Sequence, residues 1–177
     1  MKSRFVLLIA VGVAVFALAP SSALASAGIQ TFELHMEVPN TAQAPNGDQV
    51  AITGEGVFSV HPKSVEAEGE FTHTDSAGNV LATGTWTATQ LISYQSYGCG
   101  VVFGTPLPPN FCGGKVMMRV LFTPEGTTLH IPGIMWVFCV IGSHRPNSAE
   151  EGVRVNVPGI INFNDVTGGM NIYIRTS

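Results

Sequence analysis

Charge is scarce in this chain, and the short signatures of common enzyme chemistries are missing. Only 11% of residues are Asp, Glu, Lys or Arg, and just eight are basic. No G-x-S-x-G, H-E-x-x-H, C-x-x-C, P-loop or dinucleotide fingerprint occurs. Spacing alone therefore identifies no activated serine, zinc helix, dithiol or phosphate cradle. There is no Asn-x-Ser/Thr sequon, no fixed-period repeat and no low-complexity tail. After the first 25 residues no run is long and apolar enough to span a bilayer, which takes ~20 residues. No stretch of that remainder carries a capped apolar stripe of period 3.6, so helices are not expected.

The N-terminus is the clearest positive signal. Lys2 and Arg4 precede an almost unbroken apolar run from Phe5 to Leu18, followed by Pro20 and the small-x-small site Ala23-Leu24-Ala25. Charged, apolar and small-residue zones in that order describe a secretory signal peptide. Residues 1–25 are expected to be removed before Ser26, with Ala25-Ser26-Ala27 as an alternative frame. Residues 26–177 then form one domain of ordinary size. Six basic side chains would face twelve acidic ones, a net charge of about −6. Such a balance disfavours nucleic acid and anionic membranes as partners. The expected location is extracytoplasmic, secreted or periplasmic.

The apolar pattern has a period of two. Phe32, Leu34, Met36 and Val38 alternate with Glu33, His35 and Glu37. Val80, Ala82, Trp86 and Ala88 share one parity, against Thr83, Thr85, Thr87 and Thr89. Alternation of this kind puts one face on a core and the other in water. Later segments, Val116–Phe122, Ile134–Ile141, Val153–Ile161 and Met170–Ile174, are apolar on both faces, and turn signals separate them. The turn-rich segment Pro39–Asp48 reads as a loop. The predicted fold is all-β: a single antiparallel barrel of about eight strands, since closure removes exposed edges. A two-sheet sandwich is the alternative.

Parity also suggests hairpin registers. A loop at His61–Ser64 would set Val60 opposite Val65, Phe58 opposite Ala67 and Gly56 opposite Gly69. A turn at Asp75–Asn79 would set Phe71 opposite Ala82, Gly69 opposite Gly84 and Ala67 opposite Trp86. Gly56, Gly69 and Gly84 would then form a row on the inner face. Glycines there mark curvature or close approach, or the floor of a site for a small apolar ligand. Phe58, Phe71, Trp86 and the inward-parity His73 complete the predicted ligand-binding set.

Three cysteines, Cys99, Cys112 and Cys139, predict one disulfide with one thiol left over. A turn at Glu125-Gly126 pairs Phe122 with Leu129 and brings Cys112 opposite Cys139. The pairings Cys99–Cys112 and Cys99–Cys139 stay open. The leftover thiol reads as a buried apolar side chain.

Other constellations are weaker. Glu33, His35 and Glu37 share a strand face, but a zinc ion would need a further ligand that nothing nearby supplies. Glu66, Glu68 and Glu70 form an acidic stripe, with Glu55 expected opposite Glu70. Both groups read as solvated outer faces, as does the threonine row. The segment from Gly98 through Pro109 is the expected recognition loop. Gly84-Thr85-Trp86 is similar to the Gly-x-Trp element of lipocalins. In that family the element lies on the first strand, near a short helix; here it falls on about the fourth strand without one, and no family is assigned. No cofactor or metal is expected.

The leading expectation is an exported, non-enzymatic barrel binding a small apolar molecule or a partner surface. One alternative is an isomerase or cyclase acting on an apolar substrate beside His73 or Glu55. Another is a structural or surface-binding protein using the Glu/Thr face. Intact mass of the exported protein is expected to correspond to a chain starting at Ser26 or Gly28; a start at Met1 would overturn the leader assignment.

Overall fold

The computed structural model describes residues 29–177. The expected signal peptide lies outside the described residues. Within them the chain is all-β, with no helix. In chain order the strands are β1 (Thr31–Gln43), β2 (Gln49–Ser59), β3 (Ser64–Thr74), β4 (Val80–Cys99), β5 (Val101–Val102), β6 (Thr105–Pro106), β7 (Phe111–Pro124), β8 (Ile131–Cys139), β9 (Gly152–Val157), β10 (Ile161–Phe163) and β11 (Asp165–Arg175). Strands β5 and β6 form a small separate hairpin, and the other nine make one antiparallel sheet.

That sheet partly closes into a ring. β1 to β4 pair in sequence, β11 pairs with β1, and β7 pairs with β4. The circuit is completed where Tyr173 and Ile174 of β11 meet Cys112 and Phe111 of β7. The rest of that β7 edge, Gly114–Phe122, belongs to β8, which leads on to β9 and β10. β4 is long enough to turn the corner: its first half pairs with β3, and Gly84–Cys99 pair with β7. Three register shifts in β4, at Ala88/Gln90, Leu91/Ser93 and Ser96/Gly98, coil it, because a bulge bends a strand and increases its twist.

Dyad alternation survives through β2, β3 and the Ala82–Ala88 part of β4. Trp86 is fully buried, while Glu68, expected on the outer face, is exposed. The alternation breaks in β1. Pro39 cannot donate to a ladder, the register to β2 slips between His35 and Asn40, and Val38 turns out to 42% exposure. β1 nevertheless resumes through Gln43, so the expected loop shrinks to the turn between β1 and β2.

The predicted registers are each displaced by two residues. Phe58 faces Val65, Gly56 faces Ala67 and Gly54 faces Gly69. Gly69 in turn faces Trp86, Phe71 faces Gly84 and His73 faces Ala82. Gly56, Gly69 and Gly84 therefore form no row; Gly54, Gly69 and Trp86 do. The cause is that the β2–β3 loop starts at Val60, and that pairing slips between His73 and Thr74 beside the β3–β4 turn. A shift of two keeps every side chain on its face, so the inner and outer assignments hold except at Val38 in the β1 bulge and at Val80 beside the β3–β4 turn, which is 61% exposed.

The new row explains the glycines. Trp86 packs on Gly54, where a Cβ would stand 2.5 Å from the indole Cζ2, and Gly69 lets its strand approach the backbone of Thr53 and Gly54. The indole N–H donates to the Thr53 carbonyl at 2.8 Å, satisfying the one polar atom of a fully buried ring. Around it Phe58, Tyr173, Leu34, Ile52, Met118 and Met135 fill the interior. Phe32 stacks on Phe58 at 5.0 Å, and Tyr173 meets Phe58 edge-on at 5.5 Å.

The predicted Cys112–Cys139 bridge is not formed; Cys99 is bonded to Cys112, and Cys139 is a buried free thiol. Phe122 pairs with Ile131 rather than Leu129, so Cys139 comes opposite Gly114 while Cys112 stands directly across from Cys99. The expected single strand Val153–Ile161 is also corrected. Gly159, at φ 76°, lets Ile160 N–H turn back to the Val157 carbonyl, separating β9 from β10.

Gly69→Ala tests the packing row. Its methyl would strike the Thr53 carbonyl and stand 2.6 Å from Gly54 Cα. Urea unfolding is expected to show a loss of about 1–3 kcal/mol; an unchanged midpoint would refute the close approach.

Candidate functional site

The turns after β1, β3, β7 and β9 all lie at one end of the ring, because Gln43 pairs with Gln49, Gln49 with Thr74, Phe122 with Ile131 and Val157 with Ile161. At this end the packed interior stops short and leaves an apolar pocket of about 110 Å³. One wall is Val50, Phe71, His73 and Ala82, from β2 to β4; the other is Val155, Val157, Ile161 and Phe163, from β9 and β10. Phe122, Pro124, Ile131 and Ile160 complete the lining. Phe71 meets Phe122 edge-on at 5.3 Å, and His73 meets Phe163 edge-on at 5.2 Å.

His73 is the one polar side chain in that lining. Its Nε2 lies 3.1 Å from Asp48 Oδ2. Asp48 comes from the β1–β2 turn, which closes with Ala44 N–H donating to the Asp48 carbonyl at 2.8 Å and Gly47 at φ 90°. Both side chains are largely buried, at 22% and 15% exposure.

Of the seven predicted ligand-binding residues, Phe71 and His73 line this pocket. Gly84 acts from behind: a Cβ there would come within 2.8 Å of the Phe71 ring, so its bareness lets Phe71 lie in place. Phe58 and Trp86 are core, and Gly56 and Gly69 are packed against neighbouring strands. Asp48 and the β9–β10 wall were missed. Asp48 sits in a turn, where strand parity carries no information, and the wall comes from strands apolar on both faces.

The outer surface holds larger but more open relief. The threonine face and its neighbours form a groove between Glu70, Thr72, Thr83, Thr85 and Glu125. Glu55 stands opposite Glu68, not Glu70, and is exposed. His35 lies 3.5 Å from Glu33, while Glu37 is exposed in the β1 bulge. Among the described residues no three His, Cys, Asp or Glu side chains are grouped to hold a metal. The Gly98–Pro109 excursion is at the opposite end from the pocket, stapled at its base by Cys99–Cys112. At its tip Phe103 has φ 48° and is 72% exposed, with the Arg145 guanidinium 4.5 Å from its ring centroid.

A second polar constellation lies in the wall, where β8 and β11 part. Asn171 Nδ2 donates to Asn40 Oδ1 and the Phe138 carbonyl, both at 2.8 Å, with the Gly152 carbonyl at 3.2 Å. The Glu151 carboxyl accepts from Val140 N–H at 2.7 Å and Asn171 N–H at 2.6 Å. The Cys139 thiol donates to the Asn171 carbonyl at 2.9 Å. Burial, reinforced by nearby Glu151, pushes Cys139 up to about 12, which makes it an inert proton donor rather than a nucleophile. Burial also raises Glu151 to about 7, against the pull of its two backbone donors.

No family model, curated protein or solved structure matches this chain. The reading of the site therefore rests on its geometry.

Glu151 carries a pH prediction. Its folded-state value lies above the ordinary 4.5, so folding favours the protonated form. That stabilisation is present below pH 4.5 and is lost as pH rises through about 7. Urea midpoints of the native protein are expected to fall across this window relative to Glu151→Gln; parallel profiles would refute the assignment.

Proposed function

We propose that the protein is exported, loses residues 1–25, and acts as a non-enzymatic β-barrel that takes a small apolar group into the mouth of the ring. The observation that carries this reading is the apolar pocket at the turn end, with one polar side chain in its lining. The rim supports it: Val80, Leu81, Leu129 and Ile160 belong to the same end and are 55–69% exposed. Exposed apolar side chains are unremarkable singly; several at one end, with Ile160 in the pocket lining itself, fit a contact site. The pocket is far below the ~300–1,000 Å³ of drug-sized sites. It is nearer the ~150 Å³ apolar cavity that accepts benzene. The fitting occupant is thus a single ring, a branched alkyl group or the end of a longer chain.

The His73–Asp48 pair favours a second reading. A carboxylate that orients an imidazole beside an apolar pocket is the arrangement of a general base, as an isomerase or cyclase would need. Glu55 has no part in it, being exposed on the outer face.

Toluene is a suitable probe. Burying on the order of 150 Å² of ring surface gives about 4 kcal/mol, or a Kd of about 1 mM. In an NMR titration of the mature protein, saturable shifts are expected at Ala82, Val155 and Ile161. Ala82→Leu should abolish them without lowering Tm. No saturable shift in the native protein, or binding undiminished in the variant, would overturn the pocket as the site.

A further inference from the structure

We propose that the occupant of this pocket carries a hydrogen-bond donor, an aromatic or aliphatic alcohol in class, and that His73 Nδ1 accepts from it. The inference rests on the pocket reading above and adds the chemistry of the ligand.

The argument starts from Asp48. A carboxylate only accepts hydrogen bonds. With Asp48 Oδ2 3.1 Å from Nε2, a neutral imidazole must keep its proton on Nε2 and leave Nδ1 as a bare acceptor. No group among the described residues bonds Nδ1, nor is it a fully enclosed orphan. The remaining lining comes from Val, Ile, Phe, Ala and Pro side chains, which offer no side-chain donor or acceptor. With Nε2 engaged by Asp48, Nδ1 would turn toward the pocket that His73 lines, where an occupant without a polar group would leave it unpartnered. An ether or ketone would set acceptor against acceptor. A hydroxyl satisfies the nitrogen while its hydrocarbon body meets the apolar walls. Two larger grooves elsewhere, at Glu70–Thr85 and Glu55–Thr87, lie on the outer face and are flanked by carboxylates. They lack this pairing of an oriented acceptor with a dry wall.

The test compares phenol, anisole and toluene as probes by NMR titration of the full mature chain. Phenol is expected to bind about three- to tenfold more tightly than toluene, and anisole no more tightly than toluene. His73→Phe should remove the advantage of phenol while retaining toluene binding. Asp48→Asn supplies a second, milder variant. Its amide can donate to Nε2 and move the imidazole proton to Nδ1, so the preference should shift from phenol towards anisole. Equal binding of phenol and anisole in the native protein, or a phenol preference that survives both substitutions, overturns the donor assignment and leaves the pocket standing. Failure of all three probes to bind overturns the pocket reading itself, and with it this one.

Discussion

The ring depends on how polar side chains close the gap between β8 and β11. One edge of β7 has to serve two strands. It gives Phe111 and Cys112 to β11 and Gly114–Phe122 to β8. Beyond that fork β11 has no ladder partner on its β8 side. Each buried backbone group left unpaired would cost ~1–3 kcal/mol. Asn171 and Glu151 act in place of the missing ladder: the amide binds carbonyls of β8 and β9, and the carboxyl takes N–H groups of Val140 and Asn171. Tyr173 extends the closure by donating to the Val137 carbonyl at 2.9 Å. A buried carboxyl is a costly way to do this, and its upward shift records that cost. What it secures is an interior closed on the side where main-chain pairing runs out.

That closure was illegible in the sequence, whereas the faces of the alternating strands β2 to β4 were not. Parity is fixed by the pleat and survives any even slip, so His73, Phe71 and Trp86 were correctly turned inward while Glu68 was not. Register is fixed by turns, and turn conformation follows from details of loop packing that alternation does not encode. An error of two residues left faces intact and destroyed the proposed glycine row. At the cysteines the same error changed the partner: two residues separate Gly114, which faces Cys139, from Cys112, which faces Cys99. Asn171 gave no signal because Met170–Ile174 reads as apolar on both faces, so one polar residue within it has no assigned side. The bulges of β1 and β11 bring Asn40 and Asn171 together instead.

The site was legible to the same degree. One wall, from β2 to β4, came from alternation. The other came from strands whose two apolar faces give no inside or outside, so neither Phe163 nor Val155 was distinguishable from ordinary core. The polar partner came from a turn. A diagonal relation explains it: Val50 pairs with His73, so the residue two before Val50 stands at the neighbouring position of the adjacent strand, within reach of the imidazole.

The Trp86 packing also bounds what the mouth can hold. The buried Trp86 indole packs against Gly54 and fills space a deeper cavity would need, so in the proposed site an occupant would enter only as far as Phe71 and Phe122. Apolar walls alone discriminate weakly, since one methylene is worth ~1–3 kcal/mol and an added hydroxyl is poorly rejected. A buried hydrogen-bonding group reverses the asymmetry: it penalises every occupant that leaves it unpaired. In the proposed site, whose other lining side chains are all hydrocarbon, selectivity for anything but size and shape would therefore reside in the imidazole of His73, and the sense of that selectivity in Asp48, the turn residue bonded to its Nε2.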